Sequence, residues 1–247
     1  MIKTVTMAVL ISTAAMAQGV YATFNVKADK EASLVLSATG LVKKINVDVG
    51  DKVKKGQILL ELDSNDLRTS VTLARKKIEL AEVNLRFSKK SYDRYSKVKE
   101  VVDEGEFDKY ASAYERAKIE LSNAKANLAY KQSLLAKTRL RAPFSGVIAS
   151  KEIEIGDGVS SAKMGTLFTL ITPQKQKLVV LIDEKHWTKV KVGQTFTFGV
   201  SGTDEKFETK IAKIYPSINP KKRAITLEMP AKGLKVGLFG HGTLKVD

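Results

Sequence analysis

Apolar residues recur at alternating intervals of four and three along the middle of the chain: Leu67, Val71, Ala74, Ile78, Ala81, Leu85, Ser88, Tyr92 and Tyr95, with Ser88 the single polar member. That spacing keeps one stripe on one side of an α-helix and is the a/d seam of a coiled coil. A second run of similar length follows: Phe107, Tyr110, Tyr114, Ala117, Leu121, Ala124, Leu128, Lys131, Leu135 and Thr138, with Lys131 and Thr138 as departures. Two such seams predict an antiparallel helical hairpin over 64–139. Ser64 is the expected N-cap, and Asp66 complements the positive helix end. The reversal is assigned to Val101-Val102-Asp103-Glu104-Gly105-Glu106, an acidic stretch holding the only glycine between Gly56 and Gly146. Arms of about thirty-five residues would each reach roughly 50 Å. The alternative, a helix pair inside a compact bundle, needs further long helices to cover it, and the sequence offers none.

On both sides of the hairpin the period changes from helical to alternating. Within 32–63, Leu41-Val42-Lys43-Lys44-Ile45-Asn46-Val47-Asp48-Val49 alternates as a half-buried strand does, and Ile58-Leu59-Leu60-Glu61-Leu62 closes the segment. The same phrase returns after the hairpin. Gly146-Val147-Ile148 answers Gly40-Leu41-Val42, Gly156-Asp157-Gly158-Val159 answers Gly50-Asp51-Lys52-Val53, and Gly165-Thr166-Leu167-Phe168 answers Gly56-Gln57-Ile58-Leu59. Glycine accepts positive φ in such turns and aspartate bonds the turn backbone. Each half is too small to bury a face alone, so the two are expected to close into one small sandwich from which the hairpin emerges.

The last third predicts a β-barrel, with strand candidates at 178–182, 195–200, 207–215, 224–229 and 240–246. A short helix is expected over 184–190, where Trp187 and Val190 would plug one open end. Residues 1–22 fit an export leader, with Lys3 as its positive start, an apolar run from Val5 to Ala17, and cleavage after Ala17 or Ala22. An uncleaved membrane anchor is the alternative. No second stretch is long and apolar enough to cross a bilayer.

Composition narrows the picture. The 247 residues carry a formal net charge of +15 and no cysteine, which excludes a disulfide framework, a thiol nucleophile and a zinc ribbon. Such basicity suits nucleic acid, an anionic membrane or an acidic partner. Here, however, the lysines mix with acids in every segment and no aromatic-basic ladder appears, so a solvated surface is the expectation and nucleic acid is not an expected partner.

The two glycine-rich half-motifs flanking a heptad hairpin resemble the split lipoyl domain of periplasmic adaptor subunits, the membrane fusion proteins (HlyD/AcrA-like) of tripartite efflux systems. The junction Leu140-Arg141-Ala142-Pro143-Phe144-Ser145-Gly146-Val147-Ile148 is similar to the family's re-entry motif. The likeness continues through Ile182-Asp183-Glu184-Lys185-His186-Trp187, Val190-Lys191-Val192-Gly193-Gln194, Asn219-Pro220-Lys221-Lys222-Arg223-Ala224 and Leu234-Lys235-Val236-Gly237-Leu238-Phe239. It implies an elongated mixed α and β fold, with a long antiparallel α-helical coiled-coil hairpin inserted into a split lipoyl-like β-sandwich and followed by a small β-barrel. The expected divisions are a leader at 1–22, the lipoyl-like domain at 23–63 and 140–173, the hairpin at 64–139, and the barrel at 174–247.

The resemblance also implies a role. It makes the chain a non-enzymatic periplasmic adaptor that bridges an inner-membrane transporter, most simply of the resistance-nodulation-division type, to an outer-membrane channel of TolC type, with copies assembled in a ring, a hexamer among the options. An ATP-driven exporter is the alternative partner, and a free-standing coiled-coil scaffold or a lipoyl carrier are alternative functions. The family's tip motif places an arginine, a leucine four residues on, and a later serine. Arg94 and Val98 fit the first two places, Tyr95 also fits, and the serine is replaced by Asp103 or Gly105, so the channel-docking candidates are Arg94, Tyr95, Val98, Asp103, Glu104 and Gly105. The lipoyl-domain turn residues are Gly40, Gly50, Asp51, Gly56, Gly146, Gly156, Asp157 and Gly165. Residues 1–247 are not expected to build the further membrane-proximal domain that many members of the family have.

Other chemistry finds little support. Lys163, in Ala162-Lys163-Met164, lies away from the position where a carrier domain displays its modified lysine, so no cofactor is expected. His186 and His241 share no metal-ligand spacing, and Met164 and Met229 are far apart, so no metal site is expected. Gly50-Asp51-Lys52-Val53-Lys54-Lys55-Gly56 lacks the spacing to cradle phosphate, and no nucleophile elbow is present.

Overall fold

The computed structural model describes residues 19–101, 103–162, 165–202, 205–218 and 221–246. Its elements in chain order are β1 (Gly19–Ala28), β2 (Glu31–Leu34), β3 (Gly40–Ile45), β4 (Lys52–Val53), β5 (Ile58–Leu62), α1 (Asn65–Ser96), α2 (Glu104–Ala136), β6 (Arg139–Arg141), β7 (Gly146–Lys151), β8 (Gly158–Val159), β9 (Phe168–Ile171), β10 (Gln176–Asp183), β11 (Thr195–Val200), β12 (Lys206–Lys210), β13 (Lys213–Ile214), β14 (Ala224–Ala231) and β15 (Phe239–Lys245). They divide into two compact units. One is Ala32–Ile171, and the other joins the segment up to Glu31 with the chain from Thr172 onward.

In the first of these, the sequence repeat becomes a reciprocal exchange of strands. One four-stranded sheet has the order β2-β9-β7-β4 and the other β6-β5-β3-β8. Each therefore takes two strands from each half, and neither half can complete a sheet alone. The turns lock the exchange. Gly50 N donates to Ile148 O at 2.8 Å and Ile148 N to Asp51 O at 3.0 Å, while Gly156 N donates to Val42 O at 2.9 Å and Val42 N to Asp157 O at 2.9 Å. Within each turn the aspartate caps the same amide: Asp51 Oδ2 accepts from Asp48 N, and Asp157 Oδ2 from Glu154 N, both at 2.8 Å. Gly50 and Gly156 sit at φ 91° and 94°, which a side chain would strain. Leu59, Leu60, Phe168, Leu170 and Ile148, at most 1% exposed, fill the space between the sheets.

The repeat is not complete in every detail. Gly40 and Gly146 open strands β3 and β7 rather than turns. At Gly146 the requirement is close approach, because a Cβ there would run into the Ile171 carbonyl. Gly56 has φ 84°, and its counterpart Gly165 is preceded by three extra residues.

The hairpin leaves this unit between β5 and β6, which are neighbours in one sheet. Leu62 N donates to Thr138 O at 2.9 Å and Thr138 Oγ1 to Leu135 O at 2.7 Å, closing the two arms at their base. Both predicted seams are buried or half-buried at every position, and the residues between are mostly exposed. Two expectations at the helix ends are corrected. Ser64 occupies the N-cap but its side chain makes no cap bond; it is 3% exposed, and Asp63 Oδ1 takes the Asn65 amide instead at 3.3 Å. Gly105 is not in the reversal, which precedes α2. It lies in the first turn of α2, where its amide donates to the Asp103 Oδ2 cap at 3.1 Å.

The other unit is one curled seven-stranded sheet, β12-β11-β15-β1-β10-β14-β13, antiparallel throughout. Its two edges converge on β14: β13 pairs there directly, and Thr209 Oγ1 from β12 donates to Pro230 O at 2.8 Å. Phe24, Leu178, Val180, Phe196, Leu227 and Leu244, each at most 1% exposed, line the interior.

Here the expected boundaries need correction. Residues 19–22, read as the end of the leader, and 23–28, read as part of the lipoyl-like half, form β1 at the centre of this sheet, paired to β10 and β15. The reason is strand periodicity: Val20, Ala22, Phe24, Val26 and Ala28 are buried while the alternating residues face out. Cleavage after Ala22 would cut β1, and residues 1–18 lie outside the described residues. The candidate strand 207–215 is two strands, β12 and β13. The helix expected over 184–190 is a single 3-10 turn, Glu184–His186, and Trp187 is 66% exposed rather than plugging an end; Val190 is buried.

Glu228 organises the outer wall around β14. Its Oε1 accepts from Lys177 Nζ and from Tyr215 OH, both at 2.7 Å, with Lys213 Nζ 3.9 Å from Oε2. Lys177 first, then Tyr215, hold the Glu228 carboxyl below its ordinary range. A depressed carboxylate stabilises the fold above its unfolded value of about 4.3 and loses that contribution as pH falls through the folded value. Thermal melts should accordingly show Glu228→Gln less stable than wild type at neutral pH, with the gap closing below about pH 4; a gap unchanged by acid would refute the assignment.

The turn caps give a second test. Asp51→Ala and Asp157→Ala should each cost about 1 kcal/mol in urea unfolding, the usual worth of one such hydrogen bond. Unequal losses would contradict the reciprocal arrangement.

Candidate docking surface on the helical hairpin

The distal part of the hairpin is built on aromatic seam residues. Tyr92 stacks on Tyr114 with centroids 5.2 Å apart and meets Phe107 at 5.8 Å, and Tyr95 stacks on Tyr110 at 3.9 Å. The Tyr95 and Tyr110 hydroxyls are hydrogen-bonded to each other at 3.2 Å, and this bond, which favours the neutral phenol, together with the neighbouring Tyr110 oxygen holds Tyr95 above its usual range. Lys99 Nζ lies 5.2 Å from the Phe107 ring and Lys109 Nζ 5.9 Å from that of Tyr110, so cations border the stacked faces. Rings meeting across two helices fix the register of α1 on α2 near the reversal, as Asn84 Nδ2 donating to Glu120 Oε2 at 2.9 Å does further down.

The sequence-predicted tip residues separate into two sets. Arg94 and Glu104 are exposed and Val98 is 43% exposed, so these point away from the seam. Tyr95, Asp103 and Gly105 are occupied within the hairpin, by the Tyr110 stack, by capping α2 and by helix geometry respectively. Val101, 84% exposed, is an apolar tip residue that the motif comparison did not single out.

Nor did sequence reading note the strip along the outer face of α1 formed by Arg86, Lys89, Lys90, Arg94 and Lys97, which line one shallow hollow with Asp93. Spacing of three and four places them on one face, a signal that was legible. Among the described residues the ion pairs made by α1 side chains are Arg68 to Glu61 and Lys76 to Glu79, which leaves the strip's cations facing solvent, where an acidic partner could meet them.

The base of the hairpin is charged too. Glu61 Oε2 accepts from Arg139 Nε at 3.1 Å and lies 4.0 Å from Arg68 of α1, so one carboxylate from β5 touches the first residue of β6 and the first turns of α1.

In the other unit a hollow of about 880 Å³ is lined by Trp187, Ile218, Arg223 and the chain around Asp183. Arg223 is held at φ 47° by Glu184, whose amide donates to Arg223 O at 3.0 Å and whose Oε1 accepts from Arg223 Nε at 2.8 Å and pairs with its terminal nitrogen at 2.6 Å.

His186 lies in the 3-10 turn, while His241 stacks on Tyr21 on β15 with centroids 5.8 Å apart. Met229 is a core residue, 1% exposed, and Lys163 and Met164 lie outside the described residues. Among the described residues no group of three acidic, histidine or cysteine side chains could hold a metal ion, and no helix is long and apolar enough to cross a membrane.

Comparison with known proteins places this architecture. The cobalt-zinc-cadmium resistance protein CzcB of Cupriavidus metallidurans is 27% identical over 225 residues, covering 85% of this chain and 42% of that protein. The chain thus spans about two fifths of that relative's length. The crystal structure of MacA from Actinobacillus actinomycetemcomitans superposes with a TM-score of 0.80 at 20% identity, covering 94% of this chain and 79% of the other. The membrane fusion protein Spr0693 from Streptococcus pneumoniae superposes with a TM-score of 0.74 at 17% identity, covering 92% and 99%. These likenesses bear out the expected fold class. The family described as CzcB-like, barrel-sandwich hybrid domain matches residues 30–172, the exchanged sheets and the whole hairpin, and the chain belongs to that family.

Proposed function

We propose that the chain is a periplasmic adaptor of a tripartite export assembly, in which the hairpin reaches an outer-membrane channel and the seven-stranded unit contacts an inner-membrane transporter. The observation that carries this reading is the distal end of the hairpin. A two-helix arm held in register by stacked aromatics presents Arg94, Val98, Val101 and Glu104 outward, with its own seam already satisfied. An arm of that kind has nothing further to bury within its own chain, so its exposed end is free for a partner. The basic strip from Arg86 to Lys97 suits an acidic partner surface by charge. On the other unit, the hollow beside Trp187 offers an exposed aromatic flanked by ion pairs, the composition enriched at protein interfaces, and it is the surface we assign to the transporter.

The role is mechanical rather than catalytic, and it needs no cofactor. We assign export to a leader of residues 1–17, with cleavage after Ala17, which leaves β1 whole. A resistance-nodulation-division transporter, a channel of TolC type and a ring of adaptor copies complete the proposed assembly. Cargo is set by the transporter; because the relative CzcB is a cobalt-zinc-cadmium resistance protein, sensitivity of a deletion strain to these ions is the first phenotype to measure.

The direct test places a cysteine at Glu104, in a chain with no native cysteine. Crosslinking in cells should capture an outer-membrane channel, and Arg94→Asp should reduce that capture at least several-fold while leaving the protein folded and exported. Capture of nothing, or only of other copies of the chain, would replace the adaptor reading with a coiled-coil scaffold.

A further inference from the structure

Tyr95 on α1 and Tyr110 on α2 form the closest aromatic pair described in the chain, with ring centroids 3.9 Å apart, an interplanar angle of 20° and hydroxyls 3.2 Å apart. The other cross-helix tyrosine pair, Tyr92 and Tyr114, is wider at 5.2 Å, and no hydrogen bond joins its hydroxyls. Near-parallel rings with adjoining hydroxyls bring the carbons beside each phenolic oxygen face to face. Both rings are half-buried, so water and small oxidants reach their edges. The pair sits where the arms are already held in register, so no chain motion is needed to bring the rings together.

We propose that Tyr95 and Tyr110 are an oxidative crosslinking site, which one-electron oxidants convert into a dityrosine bond across the distal end of the hairpin. The oxidant class is a peroxide acting through a haem peroxidase. Each phenol gives up one electron to the oxidised haem and one proton to water, leaving two phenoxyl radicals. These couple through the carbons ortho to their oxygens, forming one carbon–carbon bond. The hydrogens on those two carbons then shift to the oxygens and restore both aromatic rings. Two electrons and two protons leave in total, and one hydrogen peroxide accepts them to become two waters. Holding the reactants in contact favours this intrachain coupling over collisions between molecules, because an intramolecular reaction in good geometry has an effective concentration no free tyrosine can match.

The consequence is a hairpin whose arms are tied covalently close to the reversal. It goes beyond the docking role and does not depend on it, since the chemistry needs only the folded chain. An arm exposed to oxidants in the cell envelope would gain a clasp that reducing thiols cannot open, in a protein that has no cysteine to make a disulfide there.

Dilute full-length protein treated with hydrogen peroxide and a haem peroxidase should develop dityrosine fluorescence while remaining monomeric on a denaturing gel. Peptide mapping should find the segment containing Tyr95 joined to that containing Tyr110, the pair lighter by two hydrogen atoms. Tyr110→Phe, which keeps the ring and its stacking, should abolish that joined peptide, whereas Tyr130→Phe, at an exposed site on α2 away from the pair, should leave it intact. Crosslinks found only between molecules, or a map dominated by Tyr92 joined to Tyr114, would overturn the proposal. So would a Tyr95–Tyr110 yield no higher than that of the same protein unfolded in urea.

Discussion

The unit that carries the hairpin depends on one reciprocal exchange of backbone hydrogen bonds. The turn at Gly50-Asp51 is bonded to Ile148, and the turn at Gly156-Asp157 to Val42. Each half thus supplies the missing edge of the other's sheet, and the buried layer of Leu59, Leu60, Phe168 and Leu170 exists only when both are present. Two segments separated by the whole hairpin must meet before either is stable. The long-range closure costs entropy, but that cost grows slowly with loop length, and the arms shorten the effective loop by pairing with each other. The hairpin is therefore both the insertion that separates the halves and the device that brings them back together.

Local periodicity made much of this legible. The seam residues of α1 and α2 are buried or half-buried between the arms, with Thr138 just past the end of α2, because a 4-3 pattern of apolar residues has few other ways to be buried. The paired turns were legible from Gly-Asp at matching positions. What was not legible was partnership over distance: that β2 joins β9 while β6 joins β5 follows from a near two-fold relation between the halves, which spacing alone does not specify. The misreading of residues 19–28 has a definite origin. A leader pattern and an alternating strand overlap in Val20-Tyr21-Ala22-Thr23-Phe24-Asn25-Val26, and the small residues that suit a cleavage site also suit the inward face of a sheet. Gly105 misled for the opposite reason: a glycine near a reversal suggests the turn itself, but at the start of a helix it leaves room for the capping carboxylate of Asp103.

The candidate surface divided along the same line. Motif comparison pointed to the distal end of the hairpin, but it could not tell outward residues from those spent on cohesion. Arg94 and Val98 face out, while one residue further on Tyr95 is committed to the opposite arm. A single step along a helix turns a side chain through about 100°, so neighbouring positions in a motif can serve quite different ends. The basic strip on α1 was open to detection from its spacing and was hidden only by the even spread of lysine through the rest of the chain.

Insertion between two neighbouring strands also bears on how such an arm changes length during evolution. Because β5 and β6 stay hydrogen-bonded whatever lies between them, the arms can grow without disturbing the sheets. The seam, however, tolerates only balanced change. Seven residues added to each arm keep the stripes in phase and extend the reach by about 10 Å, whereas one residue added to one arm rotates everything beyond it out of the seam. Related hairpins should therefore differ by whole heptads gained or lost in pairs, a ruler whose graduations are set by the pitch of the helix rather than by the partner it measures towards.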